Sequence, residues 1–312
     1  MPRIAYLGPE GTFTESALRQ LTAGGMVPDG GPGDTAVTPV PTDSTPAAIE
    51  AVRSGDAEYA CVPIESSIEG SVLPTLDSLA VGAPVQIFAE LTLPVSFSIV
   101  VRPGHDGDIA TVAAFPVAAA QVRRWLTANL PAAQLVPAHS NAAAAAEVAA
   151  GRADAGVSTA LAAERYGLDS LAAGIVDEPN ARTRFVLVGR PAPPPARTGA
   201  DRTSVVLRLA NVPGALVAAM TELSIRDIDL TRIESRPTRT ELGTYVFFLD
   251  WVGHLEDDAV GEALKALHRR CSDVRYLGSW PTGSAAGAAP PRSDEATRWL
   301  TRLRDGLPEG DR

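Results

Sequence analysis

Along the first 190 residues, short apolar runs alternate with longer stretches in which apolar residues recur every three or four positions. The runs read as buried strands and the longer stretches as helices lying over them. The strands expected are Arg3–Leu7, Thr38–Val40, Tyr59–Ile64, two within Val85–Val101 broken near Pro94, Val112–Phe115, Leu135–Val136, Ala155–Ser158 and Arg184–Val188. The helices expected are Thr14–Leu21, one with Thr45 as N-cap and Pro46 at its first position that ends at Gly55, Val117–Leu130, Asn141–Ala150 closed by Gly151, and a short one ending at Gly167. Such alternation predicts an α/β chain with parallel sheets and covering helices. At this length it predicts two lobes with a cleft between them.

Four of the five residues Pro191–Pro195 are proline, and a stretch of that kind behaves as a semi-rigid spacer. Beyond it the pattern reads β-α-β-β-α-β, with strands Ser204–Leu209, Asp229–Ser235, Thr244–Trp251 and Val274–Trp280. Leu216, Met220 and Leu223 share one helix face, as do Val260, Leu264, Leu267 and Cys271. This is a ferredoxin-like layout. The tail from Thr282 opens with Gly, Ala and Pro and is expected to be disordered until a short amphipathic helix at Glu295–Leu303. The domain reading is therefore residues 1–190, a linker at 191–202, a second domain at 203–281 and a tail at 282–312.

Composition narrows the chemistry. The chain has 312 residues, 45% of them hydrophobic, and no apolar run long enough for a membrane helix. The start enters a strand at once without the apolar stretch of a secretory signal, so a cytoplasmic location is expected. Residues 1–190 hold 11 Arg, no Lys and 20 acidic groups, a net of −9. An acidic chain without a basic tract argues against nucleic acid and anionic membranes as partners. The lone lysine is Lys265, so the first 190 residues hold neither a lysine Schiff base nor a phosphate loop of the Walker type. With His105 and His139 as the only imidazoles there, no Cys-x-x-Cys, and Cys61 and Cys271 far apart, a metal site is not expected. Hydroxyls, carboxylates, Arg and backbone amides are left to do the work.

Thr183-Arg184-Phe185 stands at the mouth of an apolar, β-branched run closed by Gly189. Arg grips a carboxylate in a planar fork and Thr donates one directed hydrogen bond, which suits a bound carboxylate beside a departing oxygen. A strand-edge Thr beside a surface Arg is the plain alternative. Gly8–Thr14, with Thr12 and Phe13, joins the first strand to the first helix, where free N–H groups and the helix dipole favour an anion, or where Thr simply caps. Glu65-Ser66-Ser67 follows another strand end, where ligands collect in open sheets, or forms a surface turn. Ser140, in His139-Ser140-Asn141, is either a ligand contact or a cap. In the second domain, Asn211, Pro213, Gly214, Ala215 and Leu216 open a helix, while Glu234, Ser235 and Arg236 end a strand. Amides for a carboxylate and a carboxylate for an ammonium group together suit an amino acid, unless Gly214 and Pro237 merely shape turns.

In this order, Gly8–Thr14, Val62–Asp77 with Thr75-Leu76-Asp77, Asn180–Phe185, Gly214-Ala215-Leu216, and Ile233–Pro237 followed by Tyr245–Phe248 resemble prephenate dehydratase with its C-terminal ACT domain. The likeness runs from about Arg3 to Trp280. It implies a catalytic domain of two lobes like a type II periplasmic binding protein, with the active site in the cleft. It also implies an ACT domain that binds L-phenylalanine as inhibitor at a subunit interface, in a homodimer or homotetramer. By the resemblance, prephenate is the substrate, no cofactor is needed, and Thr183 hydrogen-bonds or protonates the leaving hydroxyl. Arg184 would clamp a substrate carboxylate, with Glu65, Ser66, Ser67, Thr12, Phe13, Ser140 and Phe185 around it. The family usually has Asn where this chain has Ser66. Adjacent strand residues face opposite ways, so Thr183 and Arg184 are expected at irregular first residues of their strand, and the cleft is expected to be locally positive. The rival readings are arogenate dehydratase and a non-catalytic sensor of an anion and an amino acid.

Overall fold

The computed structural model describes residues 1–28, 36–283, 287–290 and 294–307. In chain order the elements begin β1 (Arg3–Leu7), α1 (Phe13–Ala23), β2 (Thr38–Thr42), α2 (Thr45–Ser54), β3 (Tyr59–Ser66), β4 (Gly70–Ser71), α3 (Leu73–Ala80) and β5 (Gln86–Pro94). Next come β6 (Phe97–Val101), β7 (Thr111–Ala114), α4 (Pro116–Gln121), α5 (Arg123–Asn129), β8 (Gln134–Pro137), α6 (Asn141–Ala149), β9 (Ala155–Ser158), α7 (Ala160–Arg165), β10 (Asp169–Ile175) and β11 (Arg182–Gly189). The remainder is β12 (Asp201–Arg208), α8 (Ala215–Ser224), β13 (Leu230–Pro237), β14 (Tyr245–Val252), α9 (Asp258–Arg270), β15 (Asp273–Pro281) and α10 (Asp294–Arg304). Parts of the Gly/Ala/Pro-rich start of the tail, 284–286 and 291–293, lie outside the described residues.

Two compact units emerge: Met1–Ser78 with Leu91–Arg190, and Leu79–Glu90 with Pro191–Arg312. The first unit has two lobes, each with its own sheet. One sheet runs β2-β1-β3-β11-β5, with β4 on the end of β3, and the other runs β10-β6-β9-β7-β8. The sheets are mixed, which corrects the expectation of parallel ones. β1 is parallel to β2 and β3, but β11 is antiparallel to β3. In the second lobe β6 runs antiparallel to β9 and β10. β2 tolerates Pro39 and Pro41 because it is an edge strand, where a missing N–H costs little. The N-cap of α2 is Ser44 rather than Thr45: its hydroxyl accepts the Ala47 N–H at 3.2 Å.

The chain crosses between lobes at Pro94–Phe97 and returns at Ile175–Arg182. The crossings are bonded to each other, Val95 N–H donating to the Ala181 carbonyl at 2.8 Å. The two crossings therefore reduce to one narrow hinge. In the second lobe α6 is almost all alanine, and that lets it lie flat on the sheet: a Cβ on Gly156 would meet the Ala144 carbonyl at 3.0 Å.

In the second unit the sheet runs β13-β14-β12-β15. One face packs Val205, Leu207, Leu249 and Trp251 against Leu223 of α8 and Val260, Ala263 and Leu267 of α9. The opposite face carries polar groups, and Leu79–Glu90 supplies their partners. Glu90 accepts from the Trp280 indole at 3.0 Å and from Arg202 Nη2 at 3.4 Å, the Arg202 guanidinium pairing with its carboxylate at 3.0 Å. Arg275 donates to the carbonyls of Leu79, Val81 and Gly82 at 3.0–3.1 Å. Gly278 has φ +135°, and a Cβ there would stand 2.4 Å from the Ile87 carbonyl oxygen. Gly278→Ala is expected to lower the melting temperature by roughly 5–10 °C through that collision and the backbone strain, read by scanning calorimetry.

Candidate functional site

The two lobes of the first unit enclose a cleft of about 1010 Å³, at the top of the range of roughly 300–1,000 Å³ usual for small-ligand sites. One wall is the Gly8–Thr14 loop, the turn from Ser66 to Val72, Thr183 and Phe185. The other is Phe115–Gln121, the start of α6 and Tyr166. The floor is aromatic: Phe13 meets Phe97 edge to face, with ring centroids 5.6 Å apart.

The register of β3 on β11 decides which groups reach the cleft. Thr183 lies opposite Ser66, Arg184 opposite Glu65 and Phe185 opposite Pro63, so Ile64 is an extra residue, a bulge on β3. The irregularity expected at the first residues of β11 is not found: Thr183 and Arg184 are its second and third residues, regularly paired, and the bulge falls on β3 beyond them. The two side chains therefore do not both turn inward. Directly opposed residues share a face, and the Thr183–Ser66 pair lines the cleft together with Phe185. Arg184 and Glu65 do not line it. The Arg184 guanidinium is buried, 2.9 Å from the Glu65 carboxylate. An arginine already paired in this way, on the face away from the ligand, is not placed to clamp a substrate carboxylate.

Counting hydroxyl protons sorts the remaining candidates, since each hydroxyl has a single one to donate. Ser67 donates to the Asn180 carbonyl at 3.1 Å and accepts the Arg182 N–H at 2.9 Å, so it ties β3 to the returning chain. Thr12 donates to the Leu7 carbonyl at 3.1 Å while capping α1, which leaves its hydroxyl spent. Ser66 accepts the Ile68 and Glu69 N–H groups at 3.2 and 3.3 Å, and Ser140 accepts the Ala143 N–H at 3.0 Å. Both keep their proton. Among the described residues the Thr183 hydroxyl pairs with no protein group. Thr183, Ser66 and Ser140 therefore line the cleft with a proton to give, as do Thr14 and Tyr166.

The expected positive pocket is not formed by side chains. Among the described residues no Arg or Lys lines the cleft, whereas Glu10, Asp43 and Glu69 do, with His139. Positive potential comes instead from the first turns of α1 and α6, whose N–H groups lack helical partners and whose dipoles point the right way. Two amides stand out, of which Asn141 was read only as part of a helix start and Gln121 not at all. Gln121 Oε1 and Asn141 Oδ1 are buried, line the cleft and have no hydrogen-bond partner. Gln121 sits in an alanine-rich helix with no motif to flag it. Nearby, burial and the Glu15 charge push the Tyr6 phenol up to about 12, and burial raises the Cys61 thiol, so both stay protonated.

In the second unit Asn211, Val212, Pro213 and Gly214 are exposed ahead of α8, with Ala215 and Leu216 half-buried in its first turn. Glu234, Ser235 and Arg236 lie on the edge strand β13. Val246 of β14 pairs with Arg208 on one side and Arg236 on the other, so both motifs lie at the same end of this sheet.

The sequence model of prephenate dehydratase matches residues 4–193, and that of the ACT domain matches 203–269. The chain belongs to the prephenate dehydratase family. A family member from Mycobacterium sp. (strain JLS) is 88% identical over 99% of this chain and 98% of its own length. One from Mycobacterium tuberculosis (strain ATCC 25177 / H37Ra) is 70% identical over 99% and 96%. Prephenate dehydratase from Arthrobacter aurescens, crystallised with L-Phe, superposes with a TM-score of 0.86 at 40% identity, covering 97% of this chain and 98% of that one. An unpaired buried amide costs about 1–3 kcal/mol in the empty protein. Gln121→Leu is accordingly expected to melt a few degrees higher without ligand and to lose the stabilisation that substrate confers, both read from melting curves.

Proposed function

We propose that the cleft carries out its family's reaction with three hydroxyls and two helix ends in place of a cationic clamp. The reaction is the decarboxylating dehydration of prephenate to phenylpyruvate, carbon dioxide and water. Loss of the ring carboxylate sends an electron pair through the ring and expels the opposite hydroxyl, and the gain of aromaticity drives the step. The protein has to hold two carboxylates and ease one oxygen away. The α1 and α6 N-termini, with Ser66 and Ser140, bind the carboxylates through N–H and O–H donors. The observation that carries the reading is the unpartnered Thr183 hydroxyl at the cleft face of β11. A threonine hydroxyl is about as weak an acid as water (pKa roughly 15.7), so Thr183 stabilises the leaving oxygen by hydrogen bonding or relays a proton to it. Phe13, Phe97 and Phe185 supply a low-dielectric bed in which that bond counts for more than in water.

Residues 1–190 are the catalytic portion in this reading, 191–202 the linker, 203–281 the regulatory portion and 282–312 a tail. L-Phenylalanine is the effector: the exposed Asn211–Gly214 loop offers amides to its carboxylate, and Glu234 offers a carboxylate to its ammonium group. Val212, Val217, Ile225 and Ile233 are exposed apolar side chains of this unit. They support a homodimer or homotetramer, with the effector site completed between subunits. Among the described residues no helix is long and apolar enough to cross a membrane, in keeping with work in the cytoplasm. The acidic rim of Glu10, Asp43 and Glu69 is the one feature that favours arogenate, whose side chain carries an ammonium group. Comparing kcat/KM for the two substrates separates the readings.

Thr183→Ala is expected to lower kcat for phenylpyruvate formation by about 10²–10⁴ with little change in KM. Equal turnover in variant and parent would remove Thr183 from the mechanism. Asn211→Ala is expected to keep basal turnover and to need at least about 10-fold more L-phenylalanine for half-inhibition, the loss of one charge-assisted hydrogen bond.

A further inference from the structure

Glu15 holds the most heavily bonded carboxylate near the cleft, yet it does not line the cleft. Its side chain is 5% exposed. One oxygen accepts the Gly11 backbone N–H at 2.5 Å. The other accepts from Arg19, one turn along α1, at 2.7 Å and from Arg165 at 2.8 Å. Arg165 ends α7 in the other lobe and also pairs with Glu10. Thr159, the N-cap of α7, donates its hydroxyl to the Gly11 carbonyl at 2.6 Å. Gly11 thus gives its N–H to one lobe and its C=O to the other. It has φ +88°, and a Cβ would stand 3.0 Å from Ala162 Cβ and 3.4 Å from Ala142 Cβ, so the second lobe bears directly on the loop.

The neighbours of Gly11 are the ones that matter for chemistry. Gly8, Pro9, Glu10, Thr12 and Phe13 line the cleft, and Thr12 opens the helix whose N-terminus faces it. The covalent crossings between the lobes lie at Pro94–Phe97 and Ile175–Arg182, and the Gly8–Thr14 loop is joined to the second lobe by neither. Something must fix its distance from the second lobe. Resting on the reading above of the cleft as a prephenate site, we propose that Glu15 and Arg165 form a positioning clasp. Together they hold the Gly8–Thr12 loop against α7 and so set where the α1 N-terminus meets a substrate carboxylate. Neither residue touches the substrate. Their effect belongs to binding geometry, whereas oxygen departure belongs to Thr183, which lies on a different element.

The experiment compares Glu15→Gln, Arg165→Met, the double variant and Arg165→Lys in prephenate turnover, alongside amide hydrogen exchange of the Gly8–Thr14 segment. A clasp predicts KM raised roughly 10-fold in each single variant with kcat changed less than about threefold, because loosening a positioning element misplaces the anion site. The double variant should be no worse than the worse single one, and Arg165→Lys should recover most of the loss. Exchange in Gly8–Thr14 should quicken at least about 10-fold in Arg165→Met while the hinge amides keep their protection. KM within twofold of the parent in Arg165→Met, or multiplicative losses in the double variant, would overturn the clasp. If Glu15→Gln does not fold, Arg165→Met still decides, since that side chain is 29% exposed and removable. Exchange reads the clasp independently of catalysis: a parent that does not turn over prephenate counts against the assigned reaction, and unchanged exchange counts against the clasp.

Discussion

The site depends on one antiparallel pairing, β3 against β11. Thr183 and Arg184 are neighbours on β11 and pair with Ser66 and Glu65, so the ordinary alternation of a strand puts the two pairs on opposite faces. Thr183 and Ser66 face the cleft. Arg184 and Glu65 face away and neutralise each other. The ion pair is also a fastener: a buried guanidinium left without its carboxylate is costly, so the two strands resist sliding in register. A slip of one residue would bring Arg184 to the cleft and bury Thr183. The Thr183 hydroxyl is thus held at the cleft by a charge pair that does not line it.

Much of this was legible in the residues. The alternation of strand and helix predicted two lobes, and the hydroxyl–arginine–aromatic run picked out a strand end whose Thr183 and Phe185 line the cleft. Arg184 was misplaced because a motif specifies residue order, whereas neighbours on a strand take opposite faces, and Thr183 and Arg184 are regularly paired with Ser66 and Glu65. The positive pocket failed for a related reason. Counting side-chain charge ignores helix ends, and here the first turns of α1 and α6 meet the cleft. Gln121 carries no pattern at all among its alanines. Only a buried amide without a partner reveals it. Strand β10 was missed because Asp169–Ile175 is exposed, irregularly registered and poor in β-branched residues, as an edge strand is free to be.

In the second unit the periodicity was a better guide, because a βαββαβ layer with helices on one face leaves clear period-2 and period-3.6 traces. Its polar face was harder. Ser204, Asp250 and Arg232 are buried there and bonded to one another, and nothing local in the sequence says that Leu79–Glu90, more than a hundred residues earlier, completes the same unit.

That early segment makes the regulatory unit discontinuous in the gene. β5 begins among the residues of one unit and ends, at Leu91–Pro94, among those of the other. A proline-rich linker invites the view that the C-terminal portion is a cassette, transferable by cutting at residue 191. A transplanted cassette would leave behind the acceptor of Trp280 and Arg202 and the carbonyls that hold Arg275, and would arrive with bare polar groups on one side of its sheet. The two functions share a strand and are inherited together.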